Sequence, residues 1–234
     1  GNFNPVGSFD MVSNGNIDVF VSKLASDGDW IWSKNIGGPL DELDPKVEVN
    51  ATNDIYITGS YQGTSDFDPG TTVNNITSAG AHDIYVVTLN ELGLLSAVES
   101  FGGIGEDYSS AIDLSSTNEV YIAGDYESTV NFDNAGGTYE LTSAGKNDAF
   151  VLKLTPNLSL LWAKSFGGIS EQKTNSIYVD NNENVYVSGF AKGITDFDPF
   201  LGITNVPTSI GSIDAFIMKL TPCTSIYGND NQLH

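Results

Sequence analysis

The sequence predicts an all-β protein, a β-propeller built from four-stranded antiparallel blades with a 65-residue repeat. Short runs of Val, Ile, Tyr and Phe are separated by turns rich in Gly and Asn, a pattern typical of strands joined by tight connections. The same words also recur in tandem at a fixed spacing. Small antiparallel sheets that are apolar on both faces need neighbours to cover them, as blades do in a propeller. A β-solenoid is the alternative that such a repeat allows.

The repeat is defined by residues that recur in register along the chain. An aspartate opens one strand of each unit at spacings of 65, 65 and 66, at positions Asp18, Asp83, Asp148 and Asp214. A double glycine recurs at a spacing of 65, at Gly37 and Gly38, Gly102 and Gly103, and Gly167 and Gly168. These spacings divide the chain into five segments: the end of a preceding repeat plus two strands (1–43), blade repeats (44–108 and 109–173), a partial repeat (174–220) and a tail or linker (221–234).

Each unit is predicted to contain four strands in two hairpins. Residues 176–190 read "SIYVDNNENVYVSGF", two apolar runs joined by a turn rich in Asn and Asp. Residues 148–166 read "DAFVLKLTPNLSLLWAKSF", a second hairpin across "TPNLS". A blade usually takes about 40–45 residues. We therefore expect the additional segment "TSDFDPGTTVNNITSAGAH" to form a loop or an extra hairpin on one rim.

The quoted segments resemble the bacterial SBBP-type β-propeller repeat, in particular "DAFVLKLTPNLSLLWAKSFGG" and "SIYVDNNENVYVSGF". The resemblance covers nearly the whole chain and implies a propeller with an extracellular or cell-surface location. The additional "DFDPG…TSAG" element is similar to proteins of the Bacteroidetes. The family has no established catalytic residues, so the resemblance transfers none to this chain.

Charge narrows the classes of partner. The chain has 30 acidic and 9 basic residues, a net charge of −21, and every basic residue is a lysine. Such a chain repels phosphate backbones and anionic headgroups, which argues against nucleic acid as a partner. No apolar run approaches the roughly 20 residues that a membrane helix needs, so we expect no membrane insertion. A glycan, a surface protein, or further blades from the same or another chain remain as expected partners.

Paired aspartates in the "DFD" element suggest calcium, the only cofactor that the sequence suggests. Residues two apart in a strand project to the same face, so burying the central phenylalanine turns both carboxylates to the other side. Carboxylates on a glycine-bearing loop are ligands that calcium prefers. The same residues also fit turn caps that accept nearby backbone amides, and Asn131 at one such position suits a cap better. The candidate ligands are Asp66, Asp68, Asp83, Asp133, Asp148, Asp196, Asp198 and Asp214.

Other conspicuous residues are interpreted as structural. Trp32 and Trp162 occupy one repeat position and are predicted to pack between blades, while the double glycines are predicted to form tight turns. His82 stands where the other units have Ile or Asn, so it is interpreted as a tolerated variation. Cys223 is either a buried lone thiol or half of a disulfide with a partner elsewhere. No catalytic residue is predicted.

Together these patterns favour a non-enzymatic extracellular binding or scaffolding segment of a bacterial secreted or cell-surface protein. Adhesion and stabilisation by calcium are further expectations. Identical rims around a rigid ring would let weak contacts add through effective concentration. Two alternatives remain open: a carbohydrate-active enzyme with acidic rim residues, and a structural subunit of a surface filament.

Overall fold

A computed structural model describes residues 11–198, 205–207 and 213–222, with the backbone alone for 205–207. The predictions for Cys223 and for most of the tail at 221–234 lie outside the described residues. The described residues form strands and connecting turns with no helix, which confirms the all-β class. In chain order the strands are β1 (Val19–Leu24), β2 (Trp30–Ile36), β3 (Glu42–Val49), β4 (Ile55–Asp66), β5 (Asn75–Leu89), β6 (Leu95–Gly103), β7 (Tyr108–Leu114), β8 (Val120–Asn131), β9 (Glu140–Leu154), β10 (Leu160–Phe166), β11 (Gln172–Val179), β12 (Val185–Ala191), β13 (Ile194–Asp196), β14 (Asn205–Pro207) and β15 (Asp214–Leu220).

The strands pair as successive antiparallel meanders, one for each unit of the repeat. Strands β3, β4, β5 and β6 form one four-stranded sheet, and β7, β8, β9 and β10 form the next. Strands β11, β12 and β15 form a third sheet with the same order, and β1 pairs with β2 as the last two strands of a preceding unit. This arrangement confirms four-stranded antiparallel blades and differs from a β-solenoid, in which strands run parallel.

The additional segment of each repeat prolongs the central hairpin into what we call the arm. In the β3–β6 sheet, β4 and β5 continue beyond their neighbours as a two-stranded hairpin. Its pairs run from Thr64 with Thr77 to Asp66 with Asn75. The register shifts where the arm leaves the sheet, and Gly63 there has a φ of 71°. A left-handed residue at this bulge redirects the strand. The next unit repeats the arm with β8 and β9, and β13 with β14 form the third.

The sheets stack face to face, and the core lies between them. One cluster joins the β1–β2 hairpin to the β3–β6 sheet, a second joins that sheet to the β7–β10 sheet, and a third joins the latter to the β11–β12–β15 sheet. Outside the arms, the sheet-forming parts of β5, β8 and β9 are buried on both faces because they have a neighbour above and below. This stacking of small sheets is the propeller arrangement that the 65-residue repeat predicts.

Neighbouring sheets are also linked by backbone hydrogen bonds at the double glycines. Gly37 exchanges two backbone hydrogen bonds of 3.2 Å with Asp66 of the following arm. Gly167 exchanges the equivalent pair with Asp196, at 3.0 and 2.8 Å. In the middle unit, Gly102 pairs in register with Asn131. The double glycine and the "DFD" element therefore recur together because each one binds the other across a sheet junction.

Candidate functional site

The first residue of each "DFD" or "NFD" element caps the loop at the tip of the arm. Asp66 Oδ1 accepts the backbone N–H of Asp68 at 3.0 Å and of Asn74 at 2.8 Å. Asn131 Oδ1 accepts the two equivalent amides at the same distances. Asp196 Oδ1 accepts the first of these bonds at 3.0 Å. One acceptor oxygen is enough for this cap, so asparagine and aspartate serve equally well.

The aspartate at the third position of the element organises the turn that follows. Asp68 Oδ1 accepts the backbone N–H of Gly70 at 2.7 Å, and Oδ2 accepts the hydroxyl of Thr72. Asp133 Oδ1 accepts the backbone N–H of Ala135 at 3.0 Å. Two of the predicted calcium ligands thus use their oxygens within their own loops.

The aspartates that open the third strand of each unit lie at the sheet junctions, at the base of the arms. Oδ2 of Asp83 accepts the backbone N–H of Ala79 at 2.8 Å, and Oδ2 of Asp148 accepts that of Ala144 at 2.9 Å. Their Oδ1 atoms are buried and have no hydrogen-bond partner among the described residues. Each carboxylate instead presses against the first glycine of a pair: a Cβ on Gly167 would lie 2.1 Å from Cγ of Asp148.

The predicted calcium ligands of one repeat are not gathered at one point. Asp83 pairs in register with Tyr61, five residues before Asp66 on the partner strand, so the two carboxylates lie at opposite ends of an extended arm. Asp214 is exposed at the start of β15. Within the described residues, no group of three or more His, Cys, Asp or Glu side chains is arranged to hold a metal ion. Calcium binding stays a prediction.

Each sheet junction contains an additional buried acceptor that sequence reasoning missed. The second glycine of each pair donates its N–H to a side chain at the start of the following sheet: to Glu42 Oε1 at 3.1 Å, to Asp107 Oδ2 at 2.7 Å and to Gln172 Oε1 at 3.0 Å. The spacing of 65 between these three residues was the signal that could have revealed them. Their carboxyl or amide groups join neighbouring sheets at equivalent points.

Burial changes the acidity of these junction carboxyls. Desolvation raises the pKa of Glu42 to about 7, although hydrogen bonds from Ser65 and Gly38 oppose the shift. Burial also raises the pKa of Asp107 to about 7, with the neighbouring carboxylates adding to the effect. Oε2 of Glu42 and Oδ1 of Asp18 both lie within 2.9 Å of the point that a Cβ on Gly37 would occupy, so two carboxyl groups approach each other there.

One junction differs from the others in a group of partly buried polar side chains, which we call the His82 cluster (His82, Glu106 and Tyr108). Nδ1 of His82 lies 2.6 Å from Oε2 of Glu106, and the hydroxyl of Tyr108 donates to the same oxygen at 2.6 Å. The tyrosine hydrogen bond lowers the pKa of Glu106. Nε2 of His82 is buried without a hydrogen-bond partner among the described residues. His82 is therefore engaged with two neighbours, and its interpretation as a tolerated variation stays a prediction.

A second set of polar groups lies beside the His82 cluster at the next junction. Lys173 has its ammonium 5.9 Å from the ring centre of Tyr108 and 3.9 Å from Oδ2 of Asp125. Asn147, which occupies the His82 position of its unit, donates to the same carboxylate oxygen at 3.2 Å. Burial raises the pKa of Asp125 to about 6, and the charge of Lys173 opposes this shift. Positions that differ between units therefore lie close together on one face of the stacked sheets.

The two repeat tryptophans are partly buried among apolar residues. Trp162 contacts Tyr121 edge to face at 6.1 Å and packs against the cluster between the β7–β10 and β11–β12–β15 sheets. The Trp32 indole N–H donates to the backbone carbonyl of Glu91 at 3.2 Å, and its ring approaches Gly93 of the following unit.

Comparison with known proteins agrees with the propeller architecture. The chain is 22% identical over 242 aligned positions to a WD repeat-containing protein of Acanthamoeba polyphaga mimivirus. The match covers 87% of this chain and 17% of the viral protein, so the chain spans about a sixth of that relative's length. No protein-family model matches the chain, and the resemblance to the SBBP-type repeat finds no support there. The described residues contain no helix that could cross a membrane.

Proposed function

We propose that this chain is a non-enzymatic binding or scaffolding segment of a β-propeller, and that it serves a secreted or cell-surface protein. The observation that carries the proposal is the arm, which occurs three times in the same place on successive sheets. The first two arms have matching threonine pairs: the hydroxyls of Thr64 and Thr77 lie 2.7 Å apart, and those of Thr129 and Thr142 lie 2.8 Å apart. A partner that meets one arm therefore meets the same chemistry on the next.

Repetition on a rigid support favours avid binding. The arms are joined to the sheets through paired strands, and the sheets are fixed to one another by buried clusters. Contacts that are weak individually therefore add through effective concentration, provided the partner also repeats. A polysaccharide or a multi-copy surface protein has that property. Adhesion and a contribution of calcium to the stability of the arms are part of this proposal.

The acidity of the surface limits the chemistry of the partner. With 30 acidic and 9 basic residues, the chain attracts cationic or neutral surfaces and repels polyanions. The carboxylates of the arm loops already accept hydrogen bonds from their own backbone. Hydroxyl and amide groups of the arms are therefore more available to a ligand than these carboxylates are. Neutral glycans and basic protein surfaces fit these properties.

Removal of single arms tests the proposal. The probes are beads coated with starch, xylan or chitin, and beads coated with lysozyme as a basic protein surface. One variant replaces residues 64–77 by an Asn-Gly turn, a second replaces residues 129–142 in the same way, and a third carries both changes. We expect saturable binding by the parent chain to at least one probe without release of sugar, and a stepwise loss of avidity as arms are removed.

Two outcomes would overturn the proposal. Sugar release that disappears in Glu106→Gln, the exposed acid of the His82 cluster, would show an enzyme instead of a binding module. Absence of binding to every probe, together with filament assembly without ligand, would show a structural subunit. A circular dichroism spectrum that matches that of the parent chain is required of each arm variant before its binding is compared.

A further inference from the structure

An open cavity lies where the stack of sheets is incomplete. It has a volume of about 460 Å³ and lies between the β1–β2 hairpin and the β3–β4 hairpin. Its walls are mostly apolar and include Val19, Val21, Trp32, Val47, Ile55 and Ile57. At the next two junctions the corresponding space is filled by buried side chains.

Side chains around this cavity are exposed although their counterparts elsewhere are buried. Leu24 is 54% exposed, whereas the leucines at the same position of the next two units are fully buried. Val47 is 56% exposed, and the isoleucines at its position are 6% and 7% exposed. The counterparts named here are Leu89 and Leu154, and Ile112 and Ile177. Covering this surface would remove several large apolar groups from water.

At the later junctions a tyrosine from the second strand of the preceding unit enters the corresponding space. Tyr56 on β4 lies in the cluster between the β3–β6 and β7–β10 sheets and is 3% exposed. Tyr121 on β8 lies in the next cluster and is 1% exposed. The cluster beside β1 contains no equivalent residue among those that the structure describes. The cavity therefore lies where the other two junctions have a tyrosine from the second strand of a sheet.

Lysine positions support the same conclusion independently. The ammonium of Lys153 lies 5.0 Å from the ring centre of Tyr121, and that of Lys219 lies 5.3 Å from the ring centre of Tyr186. Lys23 is at the same repeat position on β1 and also lines the cavity. An aromatic ring in the cavity would therefore meet a lysine that is already in place.

Among the described residues, one edge of β1 is available for backbone hydrogen bonds to a further strand. In the two following sheets the third strand pairs with the second strand on one edge and with the fourth strand on the other. Strand β1 pairs with β2 in the position of the fourth strand, and no other described strand pairs with it. Strand addition to such an edge supplies main-chain hydrogen bonds, and the apolar wall supplies side-chain pockets.

We propose that this cavity and the edge of β1 form a docking site for the first two strands of a preceding copy of the repeat, whose second strand inserts a tyrosine beneath Lys23. In both complete sheets the second strand is connected through the arm to the third strand, with which it pairs. The occupant is therefore a segment of the same polypeptide that leads into β1. The proposal rests on the fold and is independent of the proposed binding role.

The test adds the missing strands to the chain. Residues 105–129, which contain the first strand of one unit and the sheet-forming part of its second strand, are copied in front of Gly1, because "NFN" at 2–4 matches "NFD" at 131–133 and Gly1 therefore takes the place of Val130. Hydrogen exchange of the backbone amides of Val19–Leu24 is then compared with that of the parent chain. We expect exchange at these amides to slow by about tenfold or more, since local opening would now require separating a paired and covered strand.

The matched control carries the same extension with Tyr121→Asp and Ile112→Asp in the copied segment alone. It has the same length and should leave β1 as accessible as in the parent chain. Equal exchange in the extension and its control would overturn the proposal. Concentration-dependent dimerisation of the parent chain that protects the same amides would also overturn it, because the occupant would then be a second copy.

Discussion

At the scale of single residues, the contact between a buried aspartate and a glycine explains why both recur in each unit. A Cβ added to Gly102 would lie 2.2 Å from Cγ of Asp83, and one added to Gly167 would lie 2.1 Å from Cγ of Asp148. No real Cβ fits at that distance, so the carboxylate or the backbone would have to move. The carboxylate meanwhile holds the end of the arm through its other oxygen.

Substitution of this glycine should therefore destabilise the protein. We expect Gly167→Ala to lower the free energy of unfolding by about 1–3 kcal/mol, the usual cost of overpacking. Asp148→Ala should also be destabilising because it removes the hydrogen bond to Ala144. The double variant should be less destabilised than the sum of the two, since the smaller side chain relieves the clash. Urea unfolding of all three measures this coupling, and strict additivity would contradict the interpretation.

The junction carboxyls make stability depend on pH. Burial raises the pKa of Glu42 from 4.5 to about 7 and that of Asp107 from 3.8 to about 7. Between the unfolded and folded pKa values the folded chain therefore binds more protons than the unfolded chain. The stability that these groups contribute is fully present below the unfolded values and is lost as the pH rises through about 7.

We expect Glu42→Gln and Asp107→Asn to flatten this dependence, because an amide keeps the acceptor oxygen and does not ionise. Gln172 shows that an amide is compatible with the same position. Gln172→Glu is the matched reverse variant and should lower stability at pH 8 relative to pH 5, by on the order of 1 kcal/mol or more. Thermal unfolding at the two pH values measures the effect. Identical pH profiles for the parent and the variants would contradict the assignment.

At the scale of elements, the arm is a hairpin whose loop is held by its own side chains. The cap uses one oxygen of Asp66 and two backbone amides, and Asn131 makes the same bonds in the next unit. Strand pairing, the cap and the burial of Phe67 in the core together explain why the sequence "DFDPG" begins the loop. A bound cation would also require the negative charge of the carboxylate, which the cap does not need.

The variant Asp66→Asn separates the cap from calcium. An asparagine preserves the acceptor oxygen, so we expect the thermal midpoint without calcium to be nearly unchanged, whereas Asp66→Ala should cost about 1 kcal/mol through loss of the hydrogen bonds. If the aspartates bind calcium, the parent chain melts at a higher temperature in millimolar calcium than in EDTA, and Asp66→Asn reduces that difference. No difference for the parent chain would remove the calcium hypothesis.

At the scale of the whole molecule, each sheet depends on its neighbours. The sheet-forming parts of β8 and β9 lie in the middle of the stack and are buried on both faces, whereas alternate residues of β1 are exposed and Ile217 on β15 is 83% exposed. Stability in stacked repeats is approximately a sum of unit and interface terms. Among the described residues, the first and last sheets therefore have a packed neighbour on one face only.

We expect backbone protection to follow this gradient. Amide hydrogen exchange should be slowest in Val120–Asn131 and the following strand and fastest in Val19–Leu24 and Asp214–Leu220, because the terminal strands open without unfolding the centre. A mass-spectrometric exchange time course resolves these segments. Uniform protection along the chain would show that the stack unfolds as one cooperative body.

Local patterns in the sequence are enough to predict the fold class, the repeat period and the pairing of strands within each unit. Alternation of apolar residues and the positions of turns are local properties, and the 65-residue register transfers them from one unit to the next. The double glycines and the first polar residue of each "DFD" or "NFD" element recur at fixed positions for the same reason. The hydrogen bonding between the two motifs could not be predicted, because the double glycine and the element that it binds belong to different units.

The contacts that those positions make depend on how the sheets pack in three dimensions. The pairing of Gly37 with Asp66, the approach of Glu42 to Asp18, and the meeting of His82 with Glu106 all depend on how one sheet is laid against the next. Such contacts join residues 24 or more positions apart through packing of side chains and strand edges. A local pattern has no information about that geometry, since it arises from the combined burial of two faces.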